Sequence, residues 1–251
     1  MGIAITRQVY QARLRFSSFG LPVYPPSLFK LRTSLTSFFK LGKMGQVTIN
    51  IFLAIIFAYL LGSIPFGYII PRIWNIDIRR YGSGNIGATN VLRTIGPVAG
   101  TIVFVLDLLK GAAAVFLAQQ ATQNPWLIIL AGSAAVLGHT FPVFLKFKGG
   151  KGAATGLGFL LAVAPDIFLG ALIIVILIVL ITHYVSLASM ITTILVTIAF
   201  YILKRPLPYV LVSGLISILI TIRHIPNIKR LRKGTEPKIG KSSTQSGQGK
   251  K

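Results

Sequence analysis

The chain has 251 residues, 53% of them hydrophobic, with 26 Lys and Arg against four Asp and Glu, for a formal net charge of +22. Its mean hydropathy of +0.76 is that of a membrane protein rather than a soluble domain. There is no cysteine, which excludes disulfides and thiol catalysis. Three widely spaced histidines and four acids offer no metal-ligand spacing such as HExxH, so neither a metal nor another cofactor is expected.

The positive charge is uneven. Residues 1–43 carry seven Lys/Arg and no acid, and residues 223–251 carry nine Lys/Arg and one acid. Most of the rest lie at the ends of apolar runs. A nucleic-acid binder can show such a balance. With this hydropathy, a positive-inside bias and attraction to anionic lipid headgroups explain it better, and no nucleic-acid partner is expected.

In chain order, residues 1–43 form a basic extension without a long apolar run. They read as disordered, or as lying upstream of a start at Met44, with an organelle transit peptide as the sharper alternative. A membrane domain follows over 44–240. Its apolar segments are 47–70 (interrupted by Pro65), 95–117, 125–145, 153–164, 167–182, 185–203 and 207–222. The fourth and fifth are short for a crossing of about 20 residues, and Asp166 separates them. They read as two thin or tilted helices or as one re-entrant pair. Residues 241–251, rich in Ser, Gln, Gly and Lys, form a disordered tail. The expected fold is all-α: a polytopic integral-membrane helical bundle of about seven spans with Gly-rich cytoplasmic loops, five spans being the alternative. Seven crossings put the loop with Arg79, Arg80 and Arg93, the loop with Lys146 and Lys151, and the basic C-terminal segment on one face. The positive-inside rule makes that face cytoplasmic. Lys204, Arg205 and the extension conflict with this.

Three segments carry chemistry. Residues 82–93 interleave Gly82, Gly84 and Gly87 with Ser83, Asn85, Thr89, Asn90 and Arg93. Glycines let backbone N–H groups approach an anion, and hydroxyl, amide and guanidinium donors surround it. If 86–93 opens a helix, Asn90 and Arg93 share a face and the positive helix end adds to the site. The bland reading is a turn before a membrane helix. The second segment sets Lys146, Lys148 and Lys151 among Gly149, Gly150 and Gly152. It lacks the Walker A spacing, and its bland reading is three positive-inside lysines. Glycines flanking Lys151 argue against that, because charge alone needs no glycine. The third segment places His224 and Asn227 at i, i+3 beside Arg223, followed by Glu236. Imidazole and amide suit a carbonyl or hydroxyl; the bland reading is a helix end in the headgroups. Separately, Asp107 and Lys110 stand one turn apart inside a span and read as a structural pair. His139, His183, Tyr184 and Ser186 are expected at most to support the site.

The order of Leu61-Gly-Ser-Ile-Pro-Phe-Gly67, the Gly82–Asn90 run, Leu106-Asp-Leu-Leu-Lys-Gly111, Gly138-His-Thr-Phe-Pro142, Phe147-Lys-Gly-Gly-Lys-Gly152 and His224-x-x-Asn227 with Gly234-Thr-Glu236 resembles the bacterial PlsY family over residues 47–240. These are integral-membrane acyl-phosphate:glycerol-3-phosphate acyltransferases. The resemblance implies acyl transfer from acyl phosphate to the 1-hydroxyl of sn-glycerol 3-phosphate, giving lysophosphatidic acid and phosphate. This is the first acylation of phospholipid synthesis, in the bacterial inner membrane with the site on the cytoplasmic side. A soluble phosphate acyltransferase supplying acyl phosphate is the implied partner. By the same resemblance Ser83, Arg93, Lys151, His224 and Asn227 are catalytic. Gly82, Gly84, Asn85, Thr89, Asn90, Gly149, Gly150 and Gly152 bind substrate, while Glu236 is structural. The chain lacks the HxxxxD motif of other glycerol-phosphate acyltransferases. A transporter of phosphorylated solutes is the competing class, since broken spans occur there too. A site at one face and the lack of an internal repeat argue against it, and a lipid-scaffolding protein needs no such loops.

Overall fold

The computed structural model describes residues 52–240, and every described element is helical. The expected extension over 1–43 and the tail over 241–251 lie outside the described residues. The first span, α1 (Phe52–Trp74), breaks at Ile64-Pro65, where proline brings no N–H to continue the ladder. The Ile64 carbonyl left at this break accepts a 2.8 Å hydrogen bond from Lys110 Nζ. There follow α2 (Ala88–Thr94), α3 (Pro97–Ala121), α4 (Pro125–Thr140), α5 (Ala153–Val163), α6 (Pro165–Thr182), α7 (Val185–Ile202), α8 (Leu207–Arg223) and α9 (Ile225–Arg232). Proline stands in the first turn of α3, α4, α6, α8 and α9, where its fixed φ is pre-set and its missing N–H costs nothing.

All seven apolar segments expected from the sequence are helical where described. Five helices are long and apolar enough to cross a membrane, and α8 with α9, bent by 55°, gives a sixth if taken as one. The remaining segment, α5, has only 11 residues, about 16 Å of helix. By length and composition alone, five or six of the described elements qualify as full-length spans, and α5 is the short segment that the sequence marks. The fourth and fifth segments resolve as a short helix and an 18-residue one, meeting at Ala164.

Glycine sets how closely these helices approach. A Cβ on Gly111 of α3 would run into the Thr155 carbonyl of α5, and one on Gly158 into the Leu108 carbonyl. Gly62 of α1 and Gly138 of α4 meet the Ala135 and Tyr59 carbonyls in the same way. Small residues at crossings are how membrane helices gain van der Waals contact without a hydrophobic drive from water. The outer faces carry leucine and isoleucine, such as Leu169, Ile173 and Leu180 on α6, all more than half exposed and suited to lipid.

Topology gathers three connections at one end of the bundle: residues 75–96, 141–152 and 224–240. The α7–α8 turn with Lys204 and Arg205 lies some 27 Å away along α7. There Arg205 pairs with Asp166. That pairing offsets part of the charge that conflicts with the positive-inside pattern.

Candidate active site

Each loop is built differently. In the first, Gly82 and Gly84 take the left-handed backbone, at φ 56° and 69°, and turn the chain back on itself. Asn90, at the buried face of α2, organises the turn. Its Nδ2 donates to the carbonyls of Tyr81 (3.0 Å), Asn85 (2.9 Å) and Ile78 (3.4 Å), and its Oδ1 accepts from Ser83 N (2.9 Å). A Cβ on Gly82 would collide with that same Oδ1. Asn85 Oδ1 accepts from Gly87 N at 2.8 Å just before α2 begins. The amide of Asn90, expected to contact substrate, is therefore taken up within the loop. Ser83 is exposed. Arg93, one turn further along α2, donates from Nη2 to the Pro237 carbonyl at 2.7 Å, while its Nε is buried without a partner.

The glycine turn of the second loop is held from outside. Gly150 N donates to the His139 carbonyl at 3.0 Å. Arg223 Nη2 donates to the carbonyls of Gly149 (3.2 Å) and Gly150 (3.3 Å). Gly149 and Gly150 are buried, Lys146 and Lys148 are exposed, and Lys151 alone of the three lysines turns inward. Its ammonium donates to Asn227 Oδ1. Gly152, at φ 86°, then launches α5.

The third segment closes the site. At the α8–α9 bend His224 Nδ1 lies 2.8 Å from the Ile220 carbonyl. In the neutral ring that contact makes Nδ1 the N–H and leaves Nε2 as acceptor. Asn227 Nδ2 donates to Glu236 Oε1 at 2.7 Å, Ser186 Oγ donates to the same oxygen at 2.9 Å, and Arg230 Nε donates to Oε2 at 2.7 Å. Glu236 thus fixes which way the Asn227 amide points, and so where Lys151 rests.

Ser83, Arg93, Lys151, His224 and Asn227, 144 positions apart at the extremes, line one cavity of about 150 Å³. Asn85, Thr89, Asn90, Gly152, Glu236 and Asp107 also line it. Gly82, Gly84, Gly149 and Gly150, expected among the substrate contacts, do not; they shape the turns behind the wall. Sequence reasoning missed a row on α7: Ser189, Thr192 and Thr193 line the cavity beside Ser186. The readable signal was hydroxyls recurring at helical spacing along an otherwise apolar span. His139 also reaches the wall. His183 serves through its carbonyl, which accepts from Ile239 N at 2.9 Å and holds the C-terminal strap.

The electrostatics favour an anion. Burial pushes the Lys151 ammonium down to about 8, with the cations Arg230, Arg93 and Arg223 acting in the same direction and Glu236 opposing them. Burial also lowers Arg93. His224 is pushed down to about 4, first by burial and then by Lys151, so it is neutral at pH 7. Burial works to raise Glu236, but the hydrogen bonds from Asn227, Arg230 and Ser186 outweigh it and hold the carboxyl below its ordinary range. Partly buried cations with unused N–H capacity beside a neutral imidazole can take up a phosphate and keep it dry.

Residues 52–234 match the family model described as Glycerol-3-phosphate acyltransferase. The chain belongs to that family. It is 41% identical over 195 residues to a glycerol-3-phosphate acyltransferase of Rubrobacter xylanophilus, covering 78% of this chain and 98% of that one. It is 50% identical over 192 residues to one of a Jannaschia species, covering 76% and 94%. The crystal structure of PlsY (YgiH), an integral membrane glycerol 3-phosphate acyltransferase, in its glycerol 3-phosphate form superposes with a TM-score of 0.74 at 42% identity. It covers 76% of this chain and 96% of that one. The protein is therefore a multi-pass membrane acyltransferase, as the motifs implied.

Proposed function

We propose that the protein transfers a fatty acyl group from acyl phosphate to the 1-hydroxyl of sn-glycerol 3-phosphate, releasing lysophosphatidic acid and inorganic phosphate. The observation that carries this reading is the convergence of Arg93, Lys151 and His224 from three distant segments on one cavity beside an apolar wall. That suits a substrate with a phosphate head and an aliphatic tail. The neighbouring PlsY structures, described as a glycerol 3-phosphate form and a lysophosphatidic acid form, support the acceptor and the product.

In this reading Arg93 and Ser83 hold glycerol 3-phosphate, and Lys151 faces the phosphate of the donor. The acceptor hydroxyl oxygen forms a bond to the acyl carbon. The bond from that carbon to the phosphate oxygen breaks, and its electron pair leaves with phosphate. The hydroxyl proton needs an acceptor. His224, at about 4, is a weaker base than a phosphate group, whose second pKa is about 6. A phosphate oxygen is therefore the proton acceptor in this reading. Neutral His224 then orients the glycerol by accepting at Nε2 a hydrogen bond from its neighbouring 2-hydroxyl. Lys151, Arg93 and backbone N–H groups spread the developing charge. Acyl phosphate is a mixed anhydride, so this activation is sufficient. The site faces the cytoplasm of a bacterial inner membrane, where a soluble phosphate acyltransferase supplies the donor.

Purified protein in detergent should release phosphate only when both substrates are present, and acyl-CoA should not replace acyl phosphate. Robust transfer from acyl-CoA would overturn the donor assignment. Dependence on pH separates the two proton acceptors: a weakly active His224 variant that loses the acidic limb of the profile would make His224 the base.

A further inference from the structure

We propose that the buried Asp107–Lys110–His139 cluster, set between α1, α3 and α4 at the cavity wall, is a positioning device for the Lys151 turn. The proposal rests on the reaction assigned above. Lys110 Nζ lies 2.8 Å from Asp107 Oδ1 and 2.8 Å from the Ile64 carbonyl at the break in α1. His139 Nδ1 lies 3.4 Å from the same Asp107 oxygen. The three side chains are 2%, 1% and 5% exposed. One chain of contacts therefore runs from the break in α1, through α3, to the last turn of α4.

Its far end is the Lys151 turn. With Nδ1 facing the carboxylate, the His139 ring presents Nε2 to Gly150, where a Cβ would collide with that atom. The His139 carbonyl accepts from Gly150 N at 3.0 Å. Gly149 packs against the same carbonyl and the Pro142 ring so closely that it too has no room for a Cβ. Arg223 grips the two glycine carbonyls with one nitrogen. The turn is thus clamped between His139 and Arg223, and the next residue, Lys151, reaches Asn227. Asp107 sets the ring, the ring sets the turn, and the turn sets the ammonium. Packing of α1, α3 and α4 alone does not call for this charge, because a well-fitted apolar pair replaces a buried ion pair without loss of stability in many proteins.

The test uses the purified full chain. Asp107→Leu/Lys110→Met removes both charges and keeps apolar bulk. Its thermal midpoint should return to within a few degrees of wild type, whereas Asp107→Leu alone should fall well below. Turnover of the double variant should stay at least tenfold down, in kcat more than in KM. His139→Gln, which changes no permanent charge, should lose at least tenfold in kcat with its midpoint kept. Hydrogen exchange at the amides of residues 149–152 should quicken in both. Recovery of turnover together with stability in the double variant would overturn the proposal. So would a His139→Gln protein with wild-type kcat and unchanged exchange. If the double variant does not fold, His139→Gln decides. The exchange readout needs no turnover, so it separates failure of this proposal from failure of the assigned reaction.

Discussion

The two glycine-rich loops of the site carry similar residues but owe their shape to different parts of the chain. The first is held by itself: within 13 positions, from Ile78 to Asn90, one buried amide satisfies three carbonyls and one N–H. The second winds its first part on backbone bonds within 142–148, but its glycine turn is held from elsewhere. Its glycines lean on His139 and Arg223, and its lysine on Asn227. A local motif carries its scaffold in its own sequence, whereas a loop clamped from elsewhere makes the site depend on how the bundle packs. Perturbing α1, α3 or α4 should therefore reach Lys151 and leave Ser83 alone.

The largest effect should come from the clamped loop. Lys151→Met removes the half-buried cation proposed to face the departing phosphate, and kcat/KM should fall about a hundred- to thousandfold, the range for losing one preorganised donor. The same residue sets a pH limit. The ammonium is present below its value of about 8 and lost above it, so kcat/KM should decline as pH rises through about 8. A bound phosphate favours the ammonium, so the limb in kcat should lie at higher pH. Pre-steady-state and steady-state titrations would check both.

The self-held loop should break through Asn90. Asn90→Ala loses its four hydrogen bonds and should destabilise the protein by about 2–4 kcal/mol at roughly 1 kcal/mol each, with KM rising for both substrates alike. Arg93→Lys keeps charge but loses the planar fork. KM for glycerol 3-phosphate should rise more than that for acyl phosphate, with kcat/KM down about ten- to a hundredfold. Ser83→Ala should act in the same direction and less. A selective effect on acyl phosphate would exchange the two phosphate assignments. Smallest of all, Lys146→Ala and Lys148→Ala should leave turnover within about twofold, because both lysines are exposed at a loop tip where a charge is well screened. A large loss in either would break the distinction between Lys151 and its neighbours.

The sequence made much of this legible, for physical reasons that differ by residue. Helical type followed from the long apolar runs, and the Asp107–Lys110 pair from its i, i+3 spacing. Arg93, Lys151 and the His224–Asn227 pair stood out because charge and amide are expensive beside lipid without a purpose. What stayed hidden was long-range. Nothing local to His139 reveals that its ring joins Asp107 or that its carbonyl carries Gly150. Asn90 read as a substrate donor because its inward partners are backbone carbonyls, which a sequence does not display. The short fourth segment was legible too: its apolar run ends at Pro165 and Asp166, and α5 has 11 residues.

The central claim, that one cavity joins two phosphorylated substrates in a single acyl transfer, is tested most directly by following the purified protein with both substrates by phosphorus NMR. The account predicts that acyl phosphate and glycerol 3-phosphate disappear together while lysophosphatidic acid and inorganic phosphate appear in equal amounts. Consumption of acyl phosphate with glycerol 3-phosphate untouched would contradict it. So would movement of glycerol 3-phosphate across proteoliposomes with no new phosphorus species.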